Sequence, residues 1–156
     1  MLPIFAIILS MMPFIELRGG IPLAIASGLP PLEAFISCTI ANIIIIIPIF
    51  LFLDFLHSRL LGIKWYKKLS DVFIERTRKK AEKVQKDMKN LGFLALALFV
   101  AIPLPMTGAW TGALIAWLLG LKRWKSFIAI AFGVIIAGIL VTLISVGLIN
   151  GFKWIL

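Results

Sequence analysis

Pro13-Phe14-Ile15-Glu16-Leu17-Arg18-Gly19-Gly20-Ile21-Pro22 stands at the centre of an apolar stretch that runs from Leu2 to Gly28. Two prolines and a Gly-Gly pair interrupt regular backbone there, and two charges sit where charge is expensive. The flanking arms, 2–12 and 17–28, hold about a dozen residues each, which at roughly 1.5 Å per residue cover about half of a ~30 Å hydrocarbon core. Neither arm spans. The stretch therefore predicts a re-entrant hairpin whose irregular tip is shielded by protein or faces a water-filled cavity, because lipid offers no partner to free N–H and C=O groups.

Outward from this stretch the pattern recurs. Pro13, Gly20, Ala24, Gly28, Leu29, Phe35 and Ile36 are matched 92 residues on by Pro105, Gly112, Ala116, Gly120, Leu121, Phe127 and Ile128, and three of these matches are the Pro and Gly positions that punctuate backbone geometry. The second copy has a short apolar arm at 91–102, a Pro103-Leu104-Pro105 break, a Gly-rich return through Gly108 and Gly112 to Gly120, and a span at 126–149. The first copy has its span at 33–53, broken only by Asn42 and Pro48. The expected organisation is one membrane domain, 1–156, made of repeat unit one (1–53), a cytoplasmic amphipathic linker (54–90) and repeat unit two (91–156).

Composition fixes the solvent. With 62% hydrophobic residues and a mean hydropathy of +1.09, too little polar surface remains to cover a water-soluble globule of 156 residues. The fold class expected is an all-α integral membrane protein. A net charge of +9 would ordinarily raise nucleic acid as a partner, yet eleven of the sixteen basic residues fall between Arg59 and Lys89, so the charge reads as a topology signal. After Asp54, Trp65, Leu69, Val72, Phe73, Val84, Met88 and Leu91 keep near-helical spacing. Ser70 and Asp71 suit a helix start, and Glu75/Lys79 and Glu82/Lys86 are i,i+4 pairs. This predicts a basic amphipathic helix at the membrane surface.

Positive-inside bias places residues 54–90 in the cytoplasm, together with Lys122, Arg123 and Lys125, whereas loop 28–33 carries no Lys or Arg. The first hairpin then enters from outside and the second from inside. That makes the duplication an inverted-topology repeat of the kind found in secondary transporters, with both chain ends outside and a multi-pass location in the cell membrane. Ala24-Ile25-Ala26 imitates a signal-peptide cleavage site, but with no basic leader and with Glu16 and Arg18 in the run the N-terminus is expected to be retained.

Glu16 and Arg18 are the leading candidates for chemistry. Residues two apart do not face each other on a regular helix, so each is free to meet the other across a turn, the second hairpin, or a ligand. For Glu16 reversible protonation follows from two opposed influences: burial disfavours the carboxylate and a neighbouring guanidinium favours it. Arg18 suits a phosphate or carboxylate through its planar donor fork. Around them Gly19 and Gly20 bring backbone close, and from the second tip Pro103, Pro105, Thr107, Gly108 and Thr111 offer hydroxyls and backbone groups freed by two prolines. Asn42 lies mid-span, where packing glue competes with ligand contact. Ser37–Ala41 and Ala129–Gly133, with Ala137 one step further, give small residues four apart for close helix crossing. Cys38, the single cysteine, reads as a small hydrophobe. His57 has no second ligand in register, and Trp65, Tyr66, Trp124 and Trp154 read as interfacial anchors. No nucleotide loop, metal-ligand spacing or hydrolase elbow is present, so neither enzymatic chemistry nor a cofactor is expected.

Pro13 through Pro22 and Ala101-Ile-Pro-Leu-Pro-Met-Thr-Gly-Ala-Trp-Thr-Gly-Ala113 resemble the small multidrug export proteins over nearly the whole chain. More distantly, two opposed re-entrant hairpins with a tip carboxylate are similar to the DedA family, whose members are implicated in moving lipid carriers such as polyprenyl phosphates. The matching positions are Glu16 and Pro13. The chain departs from the DedA pattern in its second hairpin, which has Pro103, Pro105, Thr107 and Gly108 and no arginine before Arg123. The resulting expectation is a small transporter or lipid translocase with a site between the two hairpin tips near the midplane, acting on a small-molecule or lipid cargo among membrane lipids. Proton coupling fits that reading. A multidrug exporter and a non-transporting scaffold are the alternatives. Two spans and two hairpins make little wall, so a homodimer or larger homo-oligomer is expected.

Overall fold

The structure, a computed structural model, describes residues 2–60, 89–104 and 107–155. Among these residues there are helices and no strands: α1 (Leu2–Ser10), α2 (Glu16–Ala26), α3 (Pro31–Ile44), α4 (Ile46–Leu60), α5 (Lys89–Ala101), α6 (Ala109–Leu118) and α7 (Arg123–Ile155). The predicted amphipathic helix of the linker lies outside the described residues, apart from its two ends.

Two stretches are long and apolar enough to cross a bilayer, Pro31–Arg59 and Arg123–Leu148. The first is α3 continued by α4. Pro48 has no N–H to give the Ile44 carbonyl, and the helix breaks at that point, with Ile45 as the hinge residue. In α7 no proline intervenes and the helix runs 33 residues unbroken. The other four helices have 9 to 13 residues, which at ~1.5 Å each fall short of a ~30 Å core.

The chain is packed inside out relative to a water-soluble protein. On α3 and α4 the large side chains Ile36, Ile40, Ile44, Ile47, Leu51 and Phe55 recur at helical spacing on the outer face, each 45% exposed or more. The inner face carries Ala34, Cys38, Ala41 and Asn42. On α7 Phe132, Ile139 and Leu143 point outward while Ala129, Ala137 and Val141 face in. Small inner residues let backbones approach: a Cβ on Gly133 would lie 2.6 Å from the Ala97 carbonyl oxygen, and one on Gly138 2.8 Å from Thr39 Oγ1. Cys38 is a fully buried free thiol, as a small hydrophobe would be.

α1 packs along α2, and α5 most extensively along α7; α2 sits between α3 and α7, while α6 contacts both α4 and α7. Of the short helices, α1 and α2 pack on each other, whereas α5 packs chiefly on α7 and only lightly on α6. Helix endings repeat at the sequence offset. Gly28 (φ +96°) donates to the Ile25 carbonyl and Leu29 to Ala24; Gly120 (φ +62°) donates to Trp117 and Leu121 to Ala116. Both ends are closed by left-handed glycines, a conformation that an L side chain resists.

One detail differs from the sequence reading. Gly19, Gly20 and Pro22 lie inside α2, and the turn between the short arms is made by residues 11–15. Packing overrides propensity here: a Cβ on Gly20 would lie 2.5 Å from the Ser10 Cβ, so glycine permits the α1–α2 crossing. Pro22 leaves the Arg18 carbonyl without its helical donor.

Candidate functional site

The two pairs of short helices, α1–α2 and α5–α6, meet at their turns. Pro13 cannot donate, so the first turn closes through the amides of Met11 and Met12, and the Glu16 amide reaches back to the Met12 carbonyl at 3.0 Å. Glu16 itself takes φ +48°, the only non-glycine with positive φ among the described residues. An L side chain there costs roughly 1–3 kcal/mol, and such strain persists only where surrounding contacts over-determine it.

Those contacts come from the other pair. The Glu16 side chain is buried, and its Oε1 accepts the Trp110 backbone N–H at 3.3 Å, in the first turn of α6. A carboxylate at that place satisfies one free helix donor and complements the helix dipole. Its Oε2 rests on Gly108: a Cβ at that residue would fall 1.5 Å from the oxygen. Gly108 is needed for space, since its φ of −95° is open to any residue. Gly108 is also the residue 92 positions after Glu16, so two positions related by the sequence offset touch.

Arg18 reaches across as well. Its Nη2 donates to Thr107 Oγ1 at 2.8 Å and more weakly to the Ile102 carbonyl at 3.4 Å, while Nη1 stands 3.6 Å from Glu16 Oε2. The last distance is an ion pair too long for a hydrogen bond. Thr107 Oγ1 lies 2.7 Å from the Ile102 carbonyl and 2.8 Å from that of Leu104, so its one proton holds the second turn while its lone pairs receive Arg18. In the opposite sense the Trp110 indole N–H donates to the Met11 carbonyl at 2.9 Å. Trp110 follows Arg18 by 92 residues, and each sends its side chain to a carbonyl of the other copy's turn.

Of the residues singled out by sequence, Glu16, Arg18, Thr107 and Gly108 come together here. Pro103 lines a cleft with Arg18. Gly19 and Gly20 do not reach the cluster: their nearest neighbours are Ile15 and Ser10. Asn42 is buried and donates to the Ser10 carbonyl at 2.5 Å, tying α3 to the end of α1. Thr111 is half-buried on α6 with no hydrogen bond from its side chain among the described residues. Pro105 lies outside the described residues.

Sequence reasoning missed a second polar cluster. Asp54, near the end of α4, accepts the Trp117 indole N–H at 3.1 Å and both guanidinium arms of Arg123, and His57 meets Trp117 edge-on at 5.2 Å between ring centroids. These residues read as boundary markers one at a time. The only sequence signal was that an acid and an arginine both fell at the basic ends of spans.

Among the described residues the geometry is all-helical, with two apolar helices long enough to cross a bilayer and a charged cluster where the turns between the short helices meet. A family model described as "Putative small multi-drug export protein" matches residues 16–140. The chain belongs to that small multi-drug export family. No curated protein and no solved structure matches it, and no comparison shows the more distant DedA likeness.

Proposed function

We propose that the protein is a small membrane transporter built as an inverted-topology repeat, each unit a re-entrant hairpin plus a span, with its site where the two turns meet near the bilayer midplane. The observation that carries the reading is Glu16: a buried carboxylate on a strained residue, shared between Gly108, the Trp110 amide and Arg18. Structural ion pairs are seldom placed on strained backbone, whereas functional groups often are. The duplicated helix endings and the reciprocal reach of Arg18 and Trp110 support a repeat. The meeting of Asp54 with Arg123 supports a common membrane face for the basic end of α4 and the return of the second hairpin. By charge bias that face is cytoplasmic.

Glu16 serves in this reading as the proton carrier and Arg18 as its counter-charge and cargo contact. Reconstituted alone into vesicles, the chain takes up cargo under a pH gradient; Glu16→Gln abolishes that uptake while cargo exchange without a gradient remains. Wild-type coupling in Glu16→Gln returns Glu16 to a structural role. Cysteine labelling from outside at Pro30→Cys and from the cytoplasm at Lys122→Cys checks the topology, and buried Cys38 adds no background. Cytoplasmic labelling at residue 30 overturns the inverted repeat. Crosslinking in native membranes is expected to give a homodimer or larger.

A second reading, a non-transporting scaffold, is favoured by one observation: the turns are extensively bonded to each other and to Asn42, as a locked fold would be. Inactivity of the pure wild type on every cargo supports it.

A further inference from the structure

A cleft of about 470 Å³ opens between α2 and the second half of α7, lined by Arg18, Pro22, Pro103, Val141, Ile144 and Leu148. The walls are apolar. Ser145, the one hydroxyl in the lining, already donates to the Val141 carbonyl at 2.7 Å. The single charged group in the lining is Arg18, and the outer end of its guanidinium is not used up: Nη2 donates to Thr107 Oγ1, whereas Nη1 stands beyond hydrogen-bond range of Glu16. A guanidinium with spare donors in the lining of an apolar cleft fits an anionic head on an apolar body.

Charge narrows the class. One positive charge balances one negative charge, whereas an alkyl phosphate carries about −1.5 to −2 at pH 7 and would leave charge uncompensated in apolar surroundings. The elements packed on α2 bring no further cation to this point. α1 has no titratable side chain, α3 has Glu33 in its first turn and Cys38 against Ser10, and the charged residues of α7 fall in its terminal turns. α6, whose N-terminal turn also meets Glu16, has none. We infer that the α2–α7 cleft is a binding site for a monoanionic amphiphile, a carboxylate head on a single apolar chain, whose head takes the place of Glu16 as the partner of Arg18. This assignment rests on the reading of Glu16 as a group that becomes neutral while cargo is bound.

The test measures binding, so it stands apart from transport. Full-length chain in nanodiscs is titrated with radiolabelled decanoate, and empty nanodiscs of the same lipid are subtracted. The expected result is one saturable decanoate per chain. Unlabelled decanoate displaces it at least tenfold better than decyl phosphate, and neither acetate nor decyltrimethylammonium displaces it. Ala26→Trp, which fills the exposed mouth of the cleft and leaves Glu16 and Arg18 in place, removes the saturable component, as does Arg18→Gln. A signal equal to that of empty nanodiscs overturns the assignment. So does displacement by decyltrimethylammonium, by decyl phosphate as well as by decanoate, or unchanged binding in Ala26→Trp. Saturable binding without uptake in vesicles leaves the cleft assignment standing and defeats transport; uptake of some other cargo without decanoate binding does the reverse.

Discussion

The two proposed repeat units end their second short helices alike, at Gly28 and Gly120, and differ in the side chains those helices carry. Where the first short-helix pair presents Arg18, Pro22 and Ala26 to α7, the second presents Trp110, Leu114 and Leu118 at the equivalent places, with α4 as the neighbouring long helix. Ser145 and Val141 on α7 correspond to Leu53 and Ile49 on α4. The first side carries a cleft with a charge in its lining; the second carries bulky side chains, Leu114 and Leu118 among them partly exposed, and is fastened by Asp54 to Trp117 and Arg123. Backbone repetition therefore does not dictate chemistry. At these few positions the first side has a charge, a proline and an alanine where the second has a tryptophan and two leucines.

The sharpest way to break the comparison is at the contact between the copies. Gly108→Ala places a methyl on the Glu16 carboxylate, which must leave the Trp110 amide, and the expected loss is about 2–3 kcal/mol, the upper range for a buried polar group deprived of its hydrogen bond, read by equilibrium unfolding in detergent. Combined with Glu16→Ala, which clears the space, Gly108→Ala is expected to cost far less than alone. Additive losses would mean that the glycine is needed for another reason. Next in size are the two helix endings. A Cβ at Gly28 or Gly120 meets nothing within 4 Å, so alanine pays only for left-handed backbone, about 1–2 kcal/mol at each. Equal losses sharpen the equivalence of the copies, and a clear inequality breaks it. Smallest is the fastening at Asp54. The Arg123 side chain is 60% exposed, so Asp54→Asn is expected to lower stability by no more than ~1 kcal/mol, an effect that shrinks as salt is raised. A large, salt-insensitive loss would show that this cluster is as integral as the one at Glu16.

Much of this was legible because apolar runs have a required length and these fall short of it. Arms too short to span, interrupted by Pro13 and by Pro103, pointed to breaks between short helices, and charges at Glu16 and Arg18 pointed to a cluster packed inside the protein. Thr107 and Gly108 were reachable by the same logic as the opposing turn. The Asp54 cluster was not, because its partners lie 63 and 69 residues away and each alone looks like an ordinary boundary residue. Nor could sequence say that Gly19-Gly20-Ile21-Pro22 continues as helix, since that depends on α1 lying close enough to need the missing Cβ. Pro48 was visible in the first span, but the break it makes at Ile45 became clear only beside the uninterrupted α7.

The contact between Glu16 and Gly108 also bears on ancestry. Two identical halves related by a local two-fold would face each other at this point with either a pair of carboxylates or a pair of glycines. The first collides and the second leaves no acid. On the proposed repeat, a glutamate nested against its counterpart's missing side chain is an asymmetry available to a fused, diverging chain and closed to a dimer of identical halves.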